Sequence, residues 1–204
     1  MSASEATARQ RQREATRKRI VEAAVEVFTE KGFEGASTRE IARRADTNQG
    51  LVTYHFGSKD ELWRAAANSI FDRMGRQLAE HLDALEDPDP RARAREGIRQ
   101  YVRFAAAHPE LFRMMVDEGR VADERMDWLV DTHIRPRFEM ISSQLLDVVQ
   151  IDDALLPHAF YAMAGAASLM FAVAPECRRL TGLDPRGAQA VETHADFVAR
   201  LLVP

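Results

Sequence analysis

The sequence predicts an all-α protein of about nine helices. Hydrophobic residues make up 46% of the 204 residues, and they recur at the three- and four-residue spacing of amphipathic helices. Most of the 10 Gly and 8 Pro lie where those patterns stop, as expected of residues that end helices. Residues 37–62 also predict two short helices joined by a tight turn, with a third helix directly behind them. A chain of this length can bury a substantial core in one or two domains.

The first helix is predicted from about Thr16 to Lys31, because apolar residues form one stripe there and Gly32 follows as a C-terminal stop. The stripe consists of Ile20, Ala23, Ala24, Val27 and Phe28. Residues 1–15 are polar and lack this periodicity, so we expect them to form a disordered basic arm.

The stretch from Ser37 to Leu62 predicts a helix-turn-helix. Ser37 and Glu40 have the spacing of a capping box, in which each side chain accepts from the other residue's amide. Asp46 lies at the turn and tolerates left-handed geometry, and Asn48 is a favourable N-cap for the second helix. Two helices joined by a sharp turn, the second with a polar leading end, can place that second helix in the major groove of DNA. The region therefore predicts DNA binding.

The remainder of the chain is predicted to be helical as well. A long helix begins at Ser58 and ends at the Asp-Pro pairs of residues 87–90. Further helices are predicted at about 91–107, 109–118, 123–149 with a bend at Pro136, 152–179 with Pro157 in its early part, and from a turn at 182–185 to near the chain end. We therefore expect a helix-turn-helix domain over 16–62 and a helical domain over 63–204.

Charge is distributed unevenly along the chain. Residues 1–64 carry 12 Lys/Arg against 10 Asp/Glu, and the rest carries 16 against 22. The positive field is therefore local to the start of a chain whose net charge is −4. We find no apolar run long enough to span a membrane and no hydrophobic N-terminal segment typical of secretion. Together with the single Cys177, this predicts a protein of the reduced cytoplasm.

Neither catalysis nor a metal site is predicted. Cys177 has no evident activating partner in the sequence, and Ser142, Ser143 and Ser168 lie in helical patterns without a nucleophile elbow. The six His residues form no close pair with metal-ligand spacing, and no CxxC or HExxH motif occurs. We therefore expect no enzyme activity and no cofactor.

The span from Thr16 to about Ala66 resembles the N-terminal domain of the TetR family of bacterial transcription regulators. The matching residues are Ile20, Ala23, Ala24, Phe28, Lys31, Gly32, Phe33, Ser37, Arg39, Ile41, Ala42, Tyr54, His55, Phe56, Lys59 and Leu62. Two positions depart from the family pattern. The family usually has Gly where this chain has Asp46, and it often has an aromatic residue where this chain has Thr53.

The helix-turn-helix and the resemblance together predict the residues that contact DNA. We expect Gln49 to contact a base edge, since its amide can form two hydrogen bonds with adenine, and Arg39 to reach guanine. Phosphate contacts give register without sequence information, and they are predicted for Thr38, Tyr54 and Lys59. The complete predicted set is Thr38, Arg39, Gln49, Gly50, Thr53, Tyr54, His55 and Lys59. Taken one at a time, these residues also fit an ordinary helix surface.

The resemblance further implies that the rest of the chain dimerises and encloses a small-molecule pocket. Candidate lining residues are Tyr101, Arg103, Phe104, His108, Met114, Met115, Trp128, His133, Phe138, Phe160, Met163 and Met170. Met and aromatic residues at helical spacing are more often plain core, so that interpretation stays open. The predicted helices at 152–179 and at the chain end carry small and apolar residues suited to a four-helix homodimer interface. Alternatively, they only close the core of a monomer.

We therefore predict a sequence-specific, TetR-like transcription regulator that binds an inverted-repeat operator in double-stranded DNA. The expected mechanism is repression that is relieved when a small, largely apolar effector tilts the helix beginning at Ser58. The alternative is a DNA-binding structural or ligand-independent factor with the same helix-turn-helix domain.

Overall fold

The computed structural model describes residues 3–83, 89–149 and 151–204. Over these residues the fold is all-α, as predicted, and contains no strand. The helices are α1 (Ala3–Gly35), α2 (Thr38–Arg44), α3 (Gln49–Phe56), α4 (Lys59–Asp83), α5 (Pro90–Ala107), α6 (Pro109–Glu118), α7 (Glu124–Leu129), α8 (Arg135–Val149), α9 (Leu156–Ala172), α10 (Ala174–Thr181) and α11 (Ala188–Leu202). A π-turn at Val130–Ile134 joins α7 to α8 without a break, so the described residues form ten helices.

The chain divides into two compact units, Met1–Ile70 and Phe71–Pro204. The division falls inside α4, whereas the sequence predicts a boundary between residues 62 and 63. Helix α4 is regular over 25 residues, so its sequence shows no break at which to place the boundary.

Helix α1 of the first unit is longer than predicted. Residues 3–15 are helical, where the sequence predicts a disordered arm. They are rich in Ala, Arg, Gln and Glu, which favour helix, and Gln10 donates a hydrogen bond of 3.0 Å to Glu14 one turn later. At the other end, the predicted stop is present: the backbone leaves the helical conformation at Gly32, whose φ is 67°.

The core of the first unit is formed by apolar side chains from all four of its helices. Helix α1 packs on α2, and α2 packs on α3. Ile20, Ile41 and Trp63 are completely shielded from solvent, and Val52 of α3 is 2% exposed. This core orients α3 because Val52 and Phe56 bury one side of that helix.

The core of the second unit lies among α5, α9 and α11. Helix α5 packs on both α11 and α9, while α6 and α8 pack on α9. Val102, Phe171 and Val198 are completely buried at this junction. Ion pairs cross from α5 to α11 at its surface, one of them joining Arg99 to Asp196 at 2.7 Å.

Two prolines interrupt the helical runs of the second unit in different ways. The helix predicted over 152–179 ends at Ala172, and α10 begins at Ala174 with Pro175 in its first turn. Proline has no N–H to donate, and its ring clashes with the preceding turn, so one continuous helix cannot form there. Pro136 produces the predicted disturbance within a continuous run: the π-turn lies just before it, and the Arg135 amide bonds to the Val130 carbonyl.

One apolar segment corrects a sequence-based expectation. Asp153–Ala172 is long and apolar enough, by length and composition alone, to cross a membrane. A 3₁₀ turn at Asp153–Leu155 and α9 form this stretch, and His158 divides its apolar residues into shorter runs. Only 22% of its most apolar window is buried within the chain, and Tyr161 is 73% exposed.

Candidate functional site

The N-terminal end of α2 is capped by Ser37. The Ser37 hydroxyl accepts a hydrogen bond from the Glu40 amide at 3.2 Å, as predicted. The Glu40 carboxylate accepts from Lys31 at 2.6 Å and from Arg44 at 3.1 Å. Among the hydrogen bonds of the described residues, none returns from Glu40 to the Ser37 amide. The predicted cap is therefore present, while the reciprocal half of the capping box is replaced by ion pairs.

The turn between α2 and α3 uses the left-handed conformation expected at Asp46. Its φ is 50°, and within the described ranges no other residue except glycine has a positive φ. The next amide, that of Thr47, donates to the Ala42 carbonyl at 2.9 Å, which closes the turn. The side chain of Asn48 then accepts from the Leu51 amide at 2.9 Å and caps α3. These local bonds set the direction in which α3 leaves the turn.

Helix α3 exposes the side that carries the predicted DNA contacts. Gln49, Gly50 and Thr53 are exposed, and Tyr54 is 66% exposed. The Gln49 amide donates to the Thr38 hydroxyl at 3.2 Å, which links the leading ends of α3 and α2. Arg39 on α2 and Gln49 on α3 are both exposed. The arrangement presents amide, hydroxyl and guanidinium groups on one unit, the groups that hydrogen-bond to base edges and phosphates.

Two arginines of α1 lie against α3. The Arg13 guanidinium lies 5.5 Å from the centroid of the Tyr54 ring, and that of Arg17 lies 5.1 Å from the Phe56 ring. The sequence predicts a disordered arm over residues 1–15, whereas Arg13 lies within α1. Burial, followed by the positive charges of Arg13 and Arg17, lowers the pKa of His55. His55 therefore stays uncharged at neutral pH, and the arginines supply the positive charge beside α3.

A surface groove of about 410 Å³ lies beside α3 in the same unit. Three predicted contact residues, Thr38, Thr53 and Lys59, line it. Ser37 and Ser58, the residues that precede α2 and α4, also line it, and the N-terminus of a helix carries a partial positive charge that favours anions. The Lys59 ammonium lies 4.4 Å from the centroid of the Phe33 ring. Such a groove can accept an anionic group of the size of a phosphate.

In the second unit, His133 lies in an aromatic cluster together with Trp128. The His133 ring stacks on Phe71 at a centroid distance of 4.3 Å and meets Trp128 edge-on at 5.4 Å. Burial and, to a lesser extent, the nearby Arg137 charge lower the pKa of His133 to about 4. Arg137 was absent from the predicted set. It donates to the His133 carbonyl at 2.7 Å and to the Phe71 carbonyl at 3.1 Å. Only tertiary packing shows its role, since Phe71 is remote in sequence.

The other pocket candidates fall into separate groups. Phe104 lies 4.6 Å from His108, and Phe138 meets Phe160 edge-on at 5.3 Å. Tyr101, Met163 and Met170 pack against the core of α5, α9 and α11. Met114 is buried and Met115 is partly buried on α6.

Arg103 has a different setting from the other pocket candidates. It pairs with Glu192 at 2.7 Å and with Glu96 at 3.0 Å, so its charge is already matched at the surface. Within the described ranges, no group of three His, Cys, Asp or Glu side chains could hold a metal ion.

Comparison with known proteins identifies the family. Residues 20–66 match the family described as bacterial regulatory proteins, tetR family. The chain is 32% identical over 193 residues to the HTH-type transcriptional repressor Rv3405c of Mycobacterium tuberculosis, covering 91% of this chain and 88% of that protein. The chain belongs to the TetR family of bacterial transcription regulators.

Solved structures share the fold over nearly the whole chain. AibR in complex with isovaleryl coenzyme A and operator DNA superposes with a TM-score of 0.72 at 18% identity, covering 93% of this chain and 98% of that one. The regulator FadR from Bacillus subtilis in complex with stearoyl-CoA superposes with a TM-score of 0.65 at 17% identity, covering 91% and 97%. At these identities the likeness establishes the fold alone.

Proposed function

We propose that this protein is a sequence-specific repressor that acts in the cytoplasm as a homodimer on an inverted-repeat operator. The observation that carries the proposal is the exposed side of α3, held by the Asp46 turn and the Asn48 cap. The relative from Mycobacterium tuberculosis is named a transcriptional repressor, which supports the direction of control. In this proposal Met1–Ile70 binds DNA, and Phe71–Pro204 dimerises and binds the effector.

In the proposed DNA interface of the first unit, Gln49 contacts a base edge and Arg39 reaches guanine. Thr38, Tyr54 and Lys59 contact phosphates, while Gly50, Thr53 and His55 shape the approach of α3. Exposure of Gln49 and Tyr54 and the position of Lys59 at the groove support this assignment. Selecting duplexes from a random 30-base-pair library with the purified protein tests it. An inverted repeat with half-sites spaced by roughly 34–36 Å or slightly more is the expected product.

Genome-wide binding separates the repressor from the alternative, a DNA-binding structural factor. A repressor occupies one or a few sites near promoters, and transcription of the adjacent genes rises when its own gene is deleted. Occupancy of many dispersed sites without such a rise would contradict the proposal and support the structural factor.

The proposed dimer interface is formed by α9 and α11. Tyr161 and Leu169 of α9 are 73% and 53% exposed, and Phe197 and Leu201 of α11 are 57% and 59% exposed. Large apolar side chains left in solvent on two neighbouring helices favour association with a second copy. Light scattering of the wild type at micromolar concentration should give the mass of a dimer, and a monomeric wild type would contradict the interface.

A charge substitution localises that interface. Phe197→Glu places a charge on the proposed contact surface and should yield a monomer, because an unpaired buried carboxylate opposes association. Leu180→Glu is the matched control, since Leu180 lies on α10 and is 77% exposed. The control variant should remain dimeric. Equal behaviour of the two variants would place the interface elsewhere.

The proposed effector is a small, largely apolar molecule, and the cluster of Phe71, Trp128 and His133 is its proposed contact. Phe71 lies on α4, which contributes residues to both units, so ligand contacts at Phe71 act on a helix that also supplies Trp63 to the first core. To shift the ratio of released to DNA-bound protein from 1:99 to 99:1, the effector must bind the released form more tightly than the DNA-bound form by about 5.5 kcal/mol. Contact of an acyl chain with apolar side chains can supply part of it.

Isovaleryl-CoA and stearoyl-CoA are the first probes, since structural neighbours contain them. The chain has two Trp residues, so Trp63→Phe leaves Trp128 as the only indole. A probe that binds at the cluster should change the Trp128 emission and release the selected duplex over the same concentration range. Release without an emission change would place the effector away from Trp128. An unchanged complex with both probes would exclude these acyl-CoA effectors.

A further inference from the structure

The N-terminal part of α1 brings two arginines to the side of α3. Arg13 and Arg17 are four residues apart on one continuous helix, so they lie on the same face one turn apart, about 6 Å along the axis. Both are exposed. Among the ion pairs of the described residues, none involves either arginine, whereas the nearby Lys18 pairs with Glu22 at 3.9 Å.

The contact with Tyr54 holds the Arg13 guanidinium beside the exposed side of α3. Its distance of 5.5 Å from the ring centroid lies in the range of a cation–π interaction. A stacked guanidinium keeps its N–H groups available at its edge, and it loses less side-chain entropy on binding than a free one. Arg17 is held similarly over Phe56, which is only 8% exposed.

The charges near this pair leave the surface positive. His55, which lies between the two aromatic partners in sequence, is neutral at pH 7 because burial and the two arginines lower its pKa. Glu14, the acidic neighbour of Arg13 in sequence, accepts from Gln10 at 3.0 Å along α1. A polyanion that approaches α3 therefore meets two guanidinium groups whose charge is not neutralised by an ion pair.

We propose that α1 is a second DNA-binding element, in which Arg13 and Arg17 bind backbone phosphates next to the phosphate contacted by Tyr54. Guanidinium groups bind phosphate oxygens through paired, charge-assisted hydrogen bonds, and a one-turn spacing lets one helix face reach the DNA backbone twice. The contact adds affinity without sequence preference. This proposal rests on the proposed DNA-binding function and extends the DNA interface beyond the helix-turn-helix to α1.

Salt dependence of binding tests the proposal. The probe is the duplex that the wild type selects from the random library, with fluorescence anisotropy measured between 50 and 300 mM salt. Each phosphate contact contributes about 0.9 to the slope of log K against log salt. Arg13→Gln should therefore lower the slope by about 1.8 for a dimer, and affinity at physiological salt should fall on the order of tenfold. Selected and scrambled duplexes should be affected alike.

Arg11→Gln is the matched control, because Arg11 is an exposed arginine of the same helix and points about 200° away from Arg13 around its axis. It should leave the slope near that of the wild type. Arg13→Lys keeps the charge but loses the planar stacking group, so it should retain most of the slope and show weaker binding. Circular dichroism melts should be alike for all variants, since these side chains are exposed.

Phosphate ethylation interference supplies a second readout. In the wild type, ethylation of the phosphates bound by α1 should block binding. In Arg13→Gln, ethylation of one such phosphate per half-site should no longer affect binding, while ethylation of the others should still block it. An unchanged slope together with an unchanged interference pattern in Arg13→Gln would overturn the inference while leaving DNA binding intact. Failure of the wild type to select or bind any duplex would instead contradict the proposed function itself.

Discussion

The two units differ in what positions their candidate sites. In the first unit, short-range bonds define the ends of α2 and α3: the Ser37 cap, the Asp46 turn and the Asn48 cap all connect residues within five positions of each other. In the second unit, the surroundings of His133 come from α4 and α8, through the Phe71 ring and the Arg137 side chain. One site is assembled locally and the other by packing.

This difference determines how each site responds to substitution. A locally assembled site depends on a few caps and one turn, each contributing about 1 kcal/mol, so no single loss should unfold the unit. A site assembled by packing depends on core residues whose removal leaves a cavity. We therefore expect large stability effects in the second unit, and effects mainly on DNA binding at the surface of the first.

The largest expected effect is on the core of the second unit. Phe171→Ala should lower the free energy of unfolding by about 3–5 kcal/mol, because Phe171 is 0% exposed and its removal leaves a cavity. Urea denaturation measures the change. Leu180→Ala is the control, since Leu180 is 77% exposed and should alter stability by at most about 0.5 kcal/mol. Similar losses in the two variants would show that the unit is not held by this core.

The next effect is a pH dependence of stability that depends on His133. Burial lowers its pKa in the folded state to about 4 from the ordinary 6.5. At pH 7 His133 is deprotonated in both the folded and the unfolded state, so its lowered pKa does not affect stability there. As the pH falls below 6.5, His133 becomes protonated in the unfolded chain, whereas in the folded chain it becomes protonated only near pH 4. Stability should therefore drop by about 2 kcal/mol at pH 5, approaching about 3 kcal/mol at lower pH.

His133→Phe isolates that effect, because phenylalanine keeps an aromatic ring and cannot titrate. The free energy of unfolding, measured by urea denaturation at pH 7 and at pH 5, should fall less on acidification for this variant than for the wild type, by about 2 kcal/mol. His158→Phe serves as the control, since His158 is exposed on α9. If wild type and His133→Phe lost equal stability on acidification, His133 would not be held neutral by its packing.

At the surface of the first unit, the effect should appear in DNA binding. Gln49→Ala should cost roughly 1–3 kcal/mol in operator binding and relax the preference at one base pair in each half-site. Lys59→Ala is the contrasting variant: it should weaken all sequences alike and lower the salt slope by about one per contact. Binding to a panel of single-base variants of the selected duplex measures both. An unaltered base preference in Gln49→Ala would assign base contact to another residue.

The smallest effect is expected at the turn. Asp46 has a φ of 50°, a conformation that costs a residue with a side chain more than it costs glycine. Asp46→Gly should raise the free energy of unfolding by up to about 1 kcal/mol, offset in part by the greater freedom of glycine in the unfolded chain. Asp46→Ala should lower it by about 1 kcal/mol. Thermal melts that rank alanine above glycine would contradict the strain at this turn.

The sequence alone was sufficient for the features that depend on neighbouring residues. The all-α fold, the caps at Ser37 and Asn48, the left-handed turn at Asp46 and the break at Gly32 are each set by interactions within a few residues. The TetR family was also identifiable, because its matching residues fall within one contiguous span. The DNA contacts proposed from that span stay predictions to be tested by binding.

Only the tertiary structure decided which distant residues meet. The neutral His133 against Phe71, the pairing of Arg103 with Glu192, and the placement of Arg13 on Tyr54 each join elements far apart in the chain. Hydrophobic periodicity shows that a helix has a buried face but does not name the residue that covers it. Because burial and contact arise only when several helices pack together, the ionisation of His133 and the position of Arg13 beside α3 could not be derived from the local pattern.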